Sequence, residues 1–390
     1  MNLIKEKWNV VNLSDICDIS VGSTPLRTKK EFWTNGTIPW FTIDDIRENG
    51  RIVYDTKQKI TDLAFNKSSV KFLPINTILL CCTASIGEYA LTKIPLTTNQ
   101  QFNGLVIKDV QKVLPEYLFN YASTLKNKLL QLSGKTTIDF IPIYRIKDLQ
   151  VPLPPLEEQK QISALFQSIE TAMEQVDGQV QHLDKLKHKL LKDLFSEKQE
   201  FGNHLKVKDF ETVKFEKIAI NISERVEPKK TELATYVGLE HLDADNLKIE
   251  RTGTPDDVIG TKLKIYKGDV IFGKRRAYLR KVAVSHFDGI ASAHSMILRA
   301  NETHIEKDFL PYFMQSDTFM SRAIQISEGS LSPTIKNKTL AVQEFTLPKK
   351  EKQKELITVF KQFDTTMEQL KQQKTTLKNL KQKLLKEILG

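Results

Sequence analysis

Three cysteines in 390 residues, Cys17, Cys81 and Cys82, are too few and too irregularly spaced for a disulfide framework. With no CxxC or Cys/His pairing there is no zinc-site spacing either, and small buried apolar roles are expected for all three. No apolar run approaches the ~20 residues that cross a bilayer, and residues 1–10 have no signal-peptide apolar core, so a cytoplasmic location is expected. Catalytic signatures are missing too: there is no HExxH, GxSxG or GxGxxG, and no Asn/Asp-Pro-Pro-aromatic string of the kind amino-methyltransferases place around a target base. The GKTT string at 134–137 has Leu129 where a phosphate-binding loop needs its first glycine, and reads as a polar loop. His182, His188, His286 and His294 have no ligand or nucleophile at readable spacing. Asp44 with Asp45, and Asp256 with Asp257, read as solvated loop carboxylates. The chain by itself is therefore expected to be neither an enzyme nor a metal or cofactor carrier.

What is present is basic charge and a repeat. The net charge of +10 and a pI near 9.2 favour an anionic partner without choosing between nucleic acid and a membrane surface. Residues 153–195 and 347–389 align without a gap at a constant shift, with identities that include Leu153, Pro154, Glu157, Gln159, Phe166, Met173, Leu183, Lys187 and Leu190. The chain is a two-fold internal repeat.

Each copy carries a heptad seam. Ile162, Phe166, Ile169, Met173, Val176, Val180, Leu183, Leu190 and Leu194 step by alternating fours and threes, with Lys187 taking a seam position beside Leu186. The second seam is Leu356, Phe360, Phe363, Met367, Leu370, Leu377, Leu384 and Ile388, with Lys374 and Lys381 in seam positions. Prolines 154, 155 and 348 followed by Glu157, Glu158 and Glu351 are helix-start signals. Two long helices that pair antiparallel are expected, which would put the segments before them at opposite ends. A helix lying only on its own globular segment is the alternative.

The rest divides evenly. Residues 1–152 and 196–346 are each of domain size, and the helices occupy 153–195 and 347–390. In the first segment, strand-like runs fall at 38–43, 51–54, 75–82, 104–107 and 149–153, with a helical pattern at 115–132. The second follows the same order: 236–242 matches 40–46, 267–272 matches 74–80, and 296–299 matches 105–108. The fold class is α+β: two mixed α/β domains separated by long helices, in a pseudo-repeat whose loops diverge.

Contact candidates follow from charge and chemistry. Residues 196–348 are nearly neutral, with 23 basic against 22 acidic side chains, so a local basic cluster there is a feature of position. Lys274, Arg275, Arg276, Arg280 and Lys281, interleaved with Tyr278, follow a strand and contain no acid among them. Such a loop reaches phosphates, and arginine reads guanine through two hydrogen bonds. The equivalent place in the first half, Cys82 to Gly87, is uncharged. There the candidates are polar, Thr98 with Asn99, Gln100 and Gln101, the last three carrying amides that suit adenine, with Arg27, Lys29 and Lys30 for phosphate. Glycine and hydroxyl loops supply Lys135 and Thr136 in the first half and Ser330 and Ser332 in the second. A coiled-coil adaptor with two protein-binding domains is the competing reading from these residues, with a self-sufficient nuclease or methyltransferase as a third.

The order of segments, the LPPLEEQKQI string at 153–162, its counterpart LPKKEKQKEL at 347–356, and GKRRAYLRKVA at 273–283 resemble the specificity subunit (S, HsdS) of Type I restriction-modification systems. The resemblance covers the whole chain, and the second helix start departs from it with Lys349, Lys350 and Lys352. It implies two target recognition domains, each reading one half of an asymmetric bipartite site in double-stranded DNA, and spacer helices that set the gap. It also implies two modification subunits that bind S-adenosylmethionine and methylate adenine, and restriction subunits that use ATP and Mg to cleave. This chain would be non-catalytic, with no cofactor of its own.

Overall fold

The computed structural model describes residues 5–132, 140–196, 201–202 and 204–390. The chain forms two compact units, Met1–Val176 with Gln373–Gly390, and Asp177–Gln372. Two uninterrupted helices, Leu156–Leu194 and Lys350–Leu389, each contribute one half to either unit.

The first unit is built on a five-stranded sheet. Antiparallel pairs join Cys17–Val21, Phe102–Ile107, Ile78–Cys81 and Tyr89–Thr92 in that order, and Ile52–Val53 adds in parallel at the edge. The second unit repeats the first four positions with Ala219–Ile222, Met296–Ala300, Val270–Phe272 and Val282–Val284. Both have a small second sheet around one parallel pair, Ile38–Phe41 with Thr97–Thr98 and Tyr236–Val237 with Gly289–Ala291. The flanks differ: Gln58–Ile60 pairs with Ile38–Phe41 in one, whereas Lys262–Ile265 pairs with Gly289–Ala291 in the other. Each chain segment enters and leaves its unit through a two-stranded ladder, Asn9–Asn12 with Gln150–Leu153, and Phe210–Lys214 with Glu344–Pro348.

The helices begin where the prolines stop being an obstacle. Leu156–Leu194 follows Pro154 and Pro155, and Lys350–Leu389 begins two residues after Pro348 despite its lysine-rich first turn. Each start is clamped by the repeated glutamine. Gln159 Nε2 donates to the carbonyls of Pro154 (2.9 Å) and Lys112 (2.8 Å), while its Oε1 accepts from Leu114 N (2.9 Å). Gln353 does the same with Pro348 (2.8 Å), His304 (3.0 Å) and Glu306 N (2.7 Å). Both side chains are fully buried, so their polar atoms are acceptable only because every one is bonded.

The helices pair antiparallel. Lys381 binds Glu170 within the first unit, and Lys187 binds Asp364 at 2.6 Å within the second, so the partner retreats along one helix by as many residues as position advances along the other. Under the repeat, Lys187 corresponds to Lys381 and Asp364 to Glu170. Lys187 is buried in the seam as its spacing implies, while Leu186 beside it is exposed. Ile162, Phe166, Ile169, Leu356 and Phe360 are buried, and Met173, Leu183, Leu190, Phe363, Met367, Leu377 and Leu384 are partly buried. The helices do not pack on each other alone: Ile162, Phe166 and Ile169 share a core with Leu80, Tyr117 and Val151, and Leu356 and Phe360 share one with Phe309, Phe313 and Phe345.

Local chemistry reshapes some expected elements. The strand expected at 38–43 stops at Phe41 because Thr42 and Asp45 form a capping box, with Thr42 N donating to Asp45 Oδ2 at 2.7 Å, which starts the helix Ile43–Asn49. Asp45 is therefore a buried cap that also accepts from Lys57 N (2.7 Å), and not a solvated loop carboxylate. Asp257 caps Thr254 in the same way. The helical run expected at 115–132 splits into Pro115–Ala122 and Lys126–Leu132, where the Ser123 and Thr124 hydroxyls bond back to the carbonyls of Asn120 and Tyr121. All three cysteines are buried and free, and burial pushes the Cys17 and Cys82 thiols up to about 12.

Candidate nucleic-acid interface

In the first unit the loop after Cys17–Val21 lies on the segment that follows Thr97–Thr98. Gly22 N donates to Phe102 O (3.1 Å), Ser23 N donates to Thr98 O (2.9 Å), and the Thr24 hydroxyl donates to Gln100 Oε1. The approach is so close that a Cβ on Gly22 would stand 2.0 Å from the Asn99 carbonyl oxygen, leaving room only for glycine. This brings Arg27 and the 98–101 segment, distant in sequence, to one surface. Arg27 lies 3.8 Å from the Trp33 ring centre and 4.5 Å from that of Trp40, and donates to Gln58 Oε1 at 2.7 Å. The aromatic pair holds the guanidinium by cation–π attraction while leaving it exposed.

The sequence candidates separate by exposure. Thr98 is buried, with its hydroxyl donating to Phe41 O (3.2 Å), and Asn99 is buried, bracing Gln101 through both backbone and side chain. Gln100, Lys29 and Lys30 are exposed and Gln101 partly so. Lys135 and Thr136 lie outside the described residues.

In the second unit, the turn between Val270–Phe272 and Val282–Val284 carries the basic cluster. Arg276 (φ 59°) and Arg280 (φ 52°) are left-handed, a conformation that costs a non-glycine residue about 1 kcal/mol or more. Ala84 (φ 55°) and Gly87 (φ 84°) adopt it at the matching turn of the first unit. The frame repeats further: Ile335 N donates to Lys274 O and Ile141 N to Cys82 O, both at 3.0 Å, and isolated bridges join Arg275 to Thr334 and Thr83 to Phe140. One backbone platform therefore stands in both units, charged in the second and uncharged in the first.

The basic side chains do different things. Arg280 is spent internally: Nε donates to Asp245 (2.7 Å), Nη1 to Asp317 (3.0 Å) and Nη2 to the Gln315 carbonyl (2.6 Å). Lys281 donates to Leu239 O at 2.5 Å. Arg275 and Arg276 converge on one hydroxyl, with Arg275 Nη2 and Arg276 Nη2 each 3.1 Å from Ser332 Oγ. Among the described residues no carboxylate pairs with Lys274, Arg275 or Arg276. Burial and the neighbouring Arg225 lower the Lys274 ammonium, and burial followed by Arg275, Lys274 and Lys262 lowers His294. Held together without counter-charges, these cations give the turn a local positive field. Tyr278 and Ser330 are exposed beside it.

Sequence reasoning missed Trp33, Gln58, Arg225 and Lys262 as neighbours of these patches, because they come from other strands and loops. His294, whose Nε2 accepts from Arg275 Nη1 at 3.4 Å, was visible only as a turn-flanking histidine.

Comparison with known proteins gives a consistent result. A family model described as "Type I restriction modification DNA specificity domain" matches twice, over residues 5–181 and 207–379. The chain is 33% identical over 204 residues to the Type I restriction enzyme MjaIX specificity subunit of Methanocaldococcus jannaschii, a match covering 51% of this chain and 46% of that relative. The chain thus spans about half of that relative's length. It is 23% identical over 412 residues to the MjaVIII specificity subunit of the same organism, covering 99% of this chain and 93% of the relative. In fold it is similar to the S subunit of a Type I restriction-modification system from M. genitalium, with a TM-score of 0.54 and 18% identity over 100% of this chain and 98% of that one.

Proposed function

The chain belongs to the Type I restriction modification DNA specificity domain family, and from that premise we propose that it is the DNA-reading specificity subunit of such a system, recognising an asymmetric bipartite site. Residues 1–152 and 196–346 are the two target recognition domains, and the long helices are the spacers. In the first, Arg27, Lys29, Lys30, Gln100 and Gln101 contact the duplex, with Thr98 and Asn99 shaping the loop. In the second, Lys274, Arg275, Arg276, Tyr278, Ser330 and Ser332 make the contact, while Arg280 and Lys281 hold the turn. The observation that carries this reading is the repeated platform with unlike chemistry: a cation pair without carboxylate partners in one unit, and amides with a stacked arginine in the other. Unlike readers on like frames recognise unlike half-sites. A helix of 39 residues spans about 58 Å at 1.5 Å per residue, against about 34 Å per DNA turn, so rigid spacers of this length set a half-site gap.

Catalysis belongs to partners in this reading: two modification subunits carrying S-adenosylmethionine, and restriction subunits using ATP and Mg. Co-expression with modification subunits followed by single-molecule methylation sequencing tests it. A gapped, non-palindromic motif is expected, and Arg275→Ala with Arg276→Ala should relax only one half. A continuous motif, or equal loss at both halves, contradicts it.

A further inference from the structure

Leu331 is 91% exposed, the most exposed large apolar residue of the described residues, and stands on a loop closed by backbone hydrogen bonds. Glu328 and Thr334 exchange both backbone hydrogen bonds (3.0 and 2.9 Å), closing a loop that turns at Gly329 (φ 105°). The Thr334 hydroxyl donates to Ser332 O (3.1 Å), and Pro333 O accepts from Arg276 N (2.7 Å). Ser332 Oγ accepts from both guanidinium groups. The loop is thus tied to the arginine turn on one flank, and the leucine is left at its tip.

A single exposed leucine is ordinary on a protein surface. This one stands on a braced loop, next to cations that have no carboxylate partner. That is the arrangement an apolar wedge needs: basic groups take the phosphates, and an aliphatic side chain enters the stack beside them, unstacking one step and bending the duplex. We propose that Leu331 inserts between adjacent base pairs of the second half-site, so that part of this half-site is read as ease of deformation. Flexible pyrimidine–purine steps would be favoured at that position, without a hydrogen bond to either base. The proposal rests on the DNA-reading function above and adds to it a distortion at one step.

The test uses the full chain with its co-expressed modification subunits and a duplex carrying the methylated motif. 2-Aminopurine is placed in turn at each position of the second half-site except the methylated adenine. With the wild-type chain, fluorescence should rise severalfold at one step, and Leu331→Ala should abolish that rise while changing affinity by no more than about tenfold. Leu331→Met should retain it. A duplex in which no position responds, or an unchanged response with Leu331→Ala, overturns the wedge. So does loss of subunit co-purification with Leu331→Ala, which would make the leucine a protein contact. Failure of the wild-type complex to bind the duplex at all would instead overturn the DNA-reading function on which the wedge depends.

Discussion

Replacing Gln353 by leucine removes a side chain of similar volume and deletes three hydrogen bonds at once. Glu306 N–H loses its acceptor, and the carbonyls of His304 and Pro348 lose a donor. A buried group left unsatisfied costs about 1–3 kcal/mol. The orphaned N–H bears its full cost, the carbonyls keep a second lone pair, and the leucine gains some apolar burial. The net is about 2–4 kcal/mol, which for a unit of this size lowers its melting temperature by roughly 5–15 °C. Urea unfolding and hydrogen exchange at the Glu306 amide measure it, and that amide should lose protection before its neighbours do. Gln353→Glu adds a pH dependence. A carboxylate facing two carbonyls has its folded pKa raised above the unfolded value of about 4.3, so the ionisation penalty is absent below that pH, where one O–H still serves one carbonyl, grows as pH rises through it, and is complete above the folded value. Gln159→Leu should act likewise at the Leu114 amide. A loss under about 1 kcal/mol, or a Gln353→Glu variant more stable at neutral than at acid pH, would refute the clamp.

Two further outcomes follow from the packing. Asp364→Asn leaves the buried Lys187 ammonium without its counter-charge, whereas Lys187→Met leaves Asp364 a third exposed and still bonded to the Tyr312 hydroxyl at 2.7 Å. Asp364→Asn should therefore cost about 3 kcal/mol and Lys187→Met about 1 kcal/mol, both read from urea midpoints, and the reverse order would contradict the assigned burial. Gly22→Ala meets the Asn99 carbonyl and must displace the first recognition loop; methylation sequencing should show the first half-site degraded and the second intact, and an unchanged motif would count against the placement of that loop.

Sequence alone determined the parts governed by periodicity and repetition. A heptad seam written twice required two long helices. The parallel order of apolar runs in the two segments carried the duplicated order of strands, although few residues there are shared. Even Lys187 in the seam was legible, since a helix of 3.6 residues per turn leaves no other face for it. The tertiary structure decided what depends on partners far along the chain. Asp45 became a helix cap and a loop clamp because Lys57 comes back to it. Arg280, inseparable in sequence from Arg275 and Arg276, was assigned to scaffolding by Asp245 and Asp317 from elsewhere in its unit. Leu331 gained meaning only when the arginine turn closed against its loop. A charge cluster announces itself in sequence, but whether each charge is neutralised is settled by the neighbours the fold supplies, and sequence spacing does not encode those neighbours.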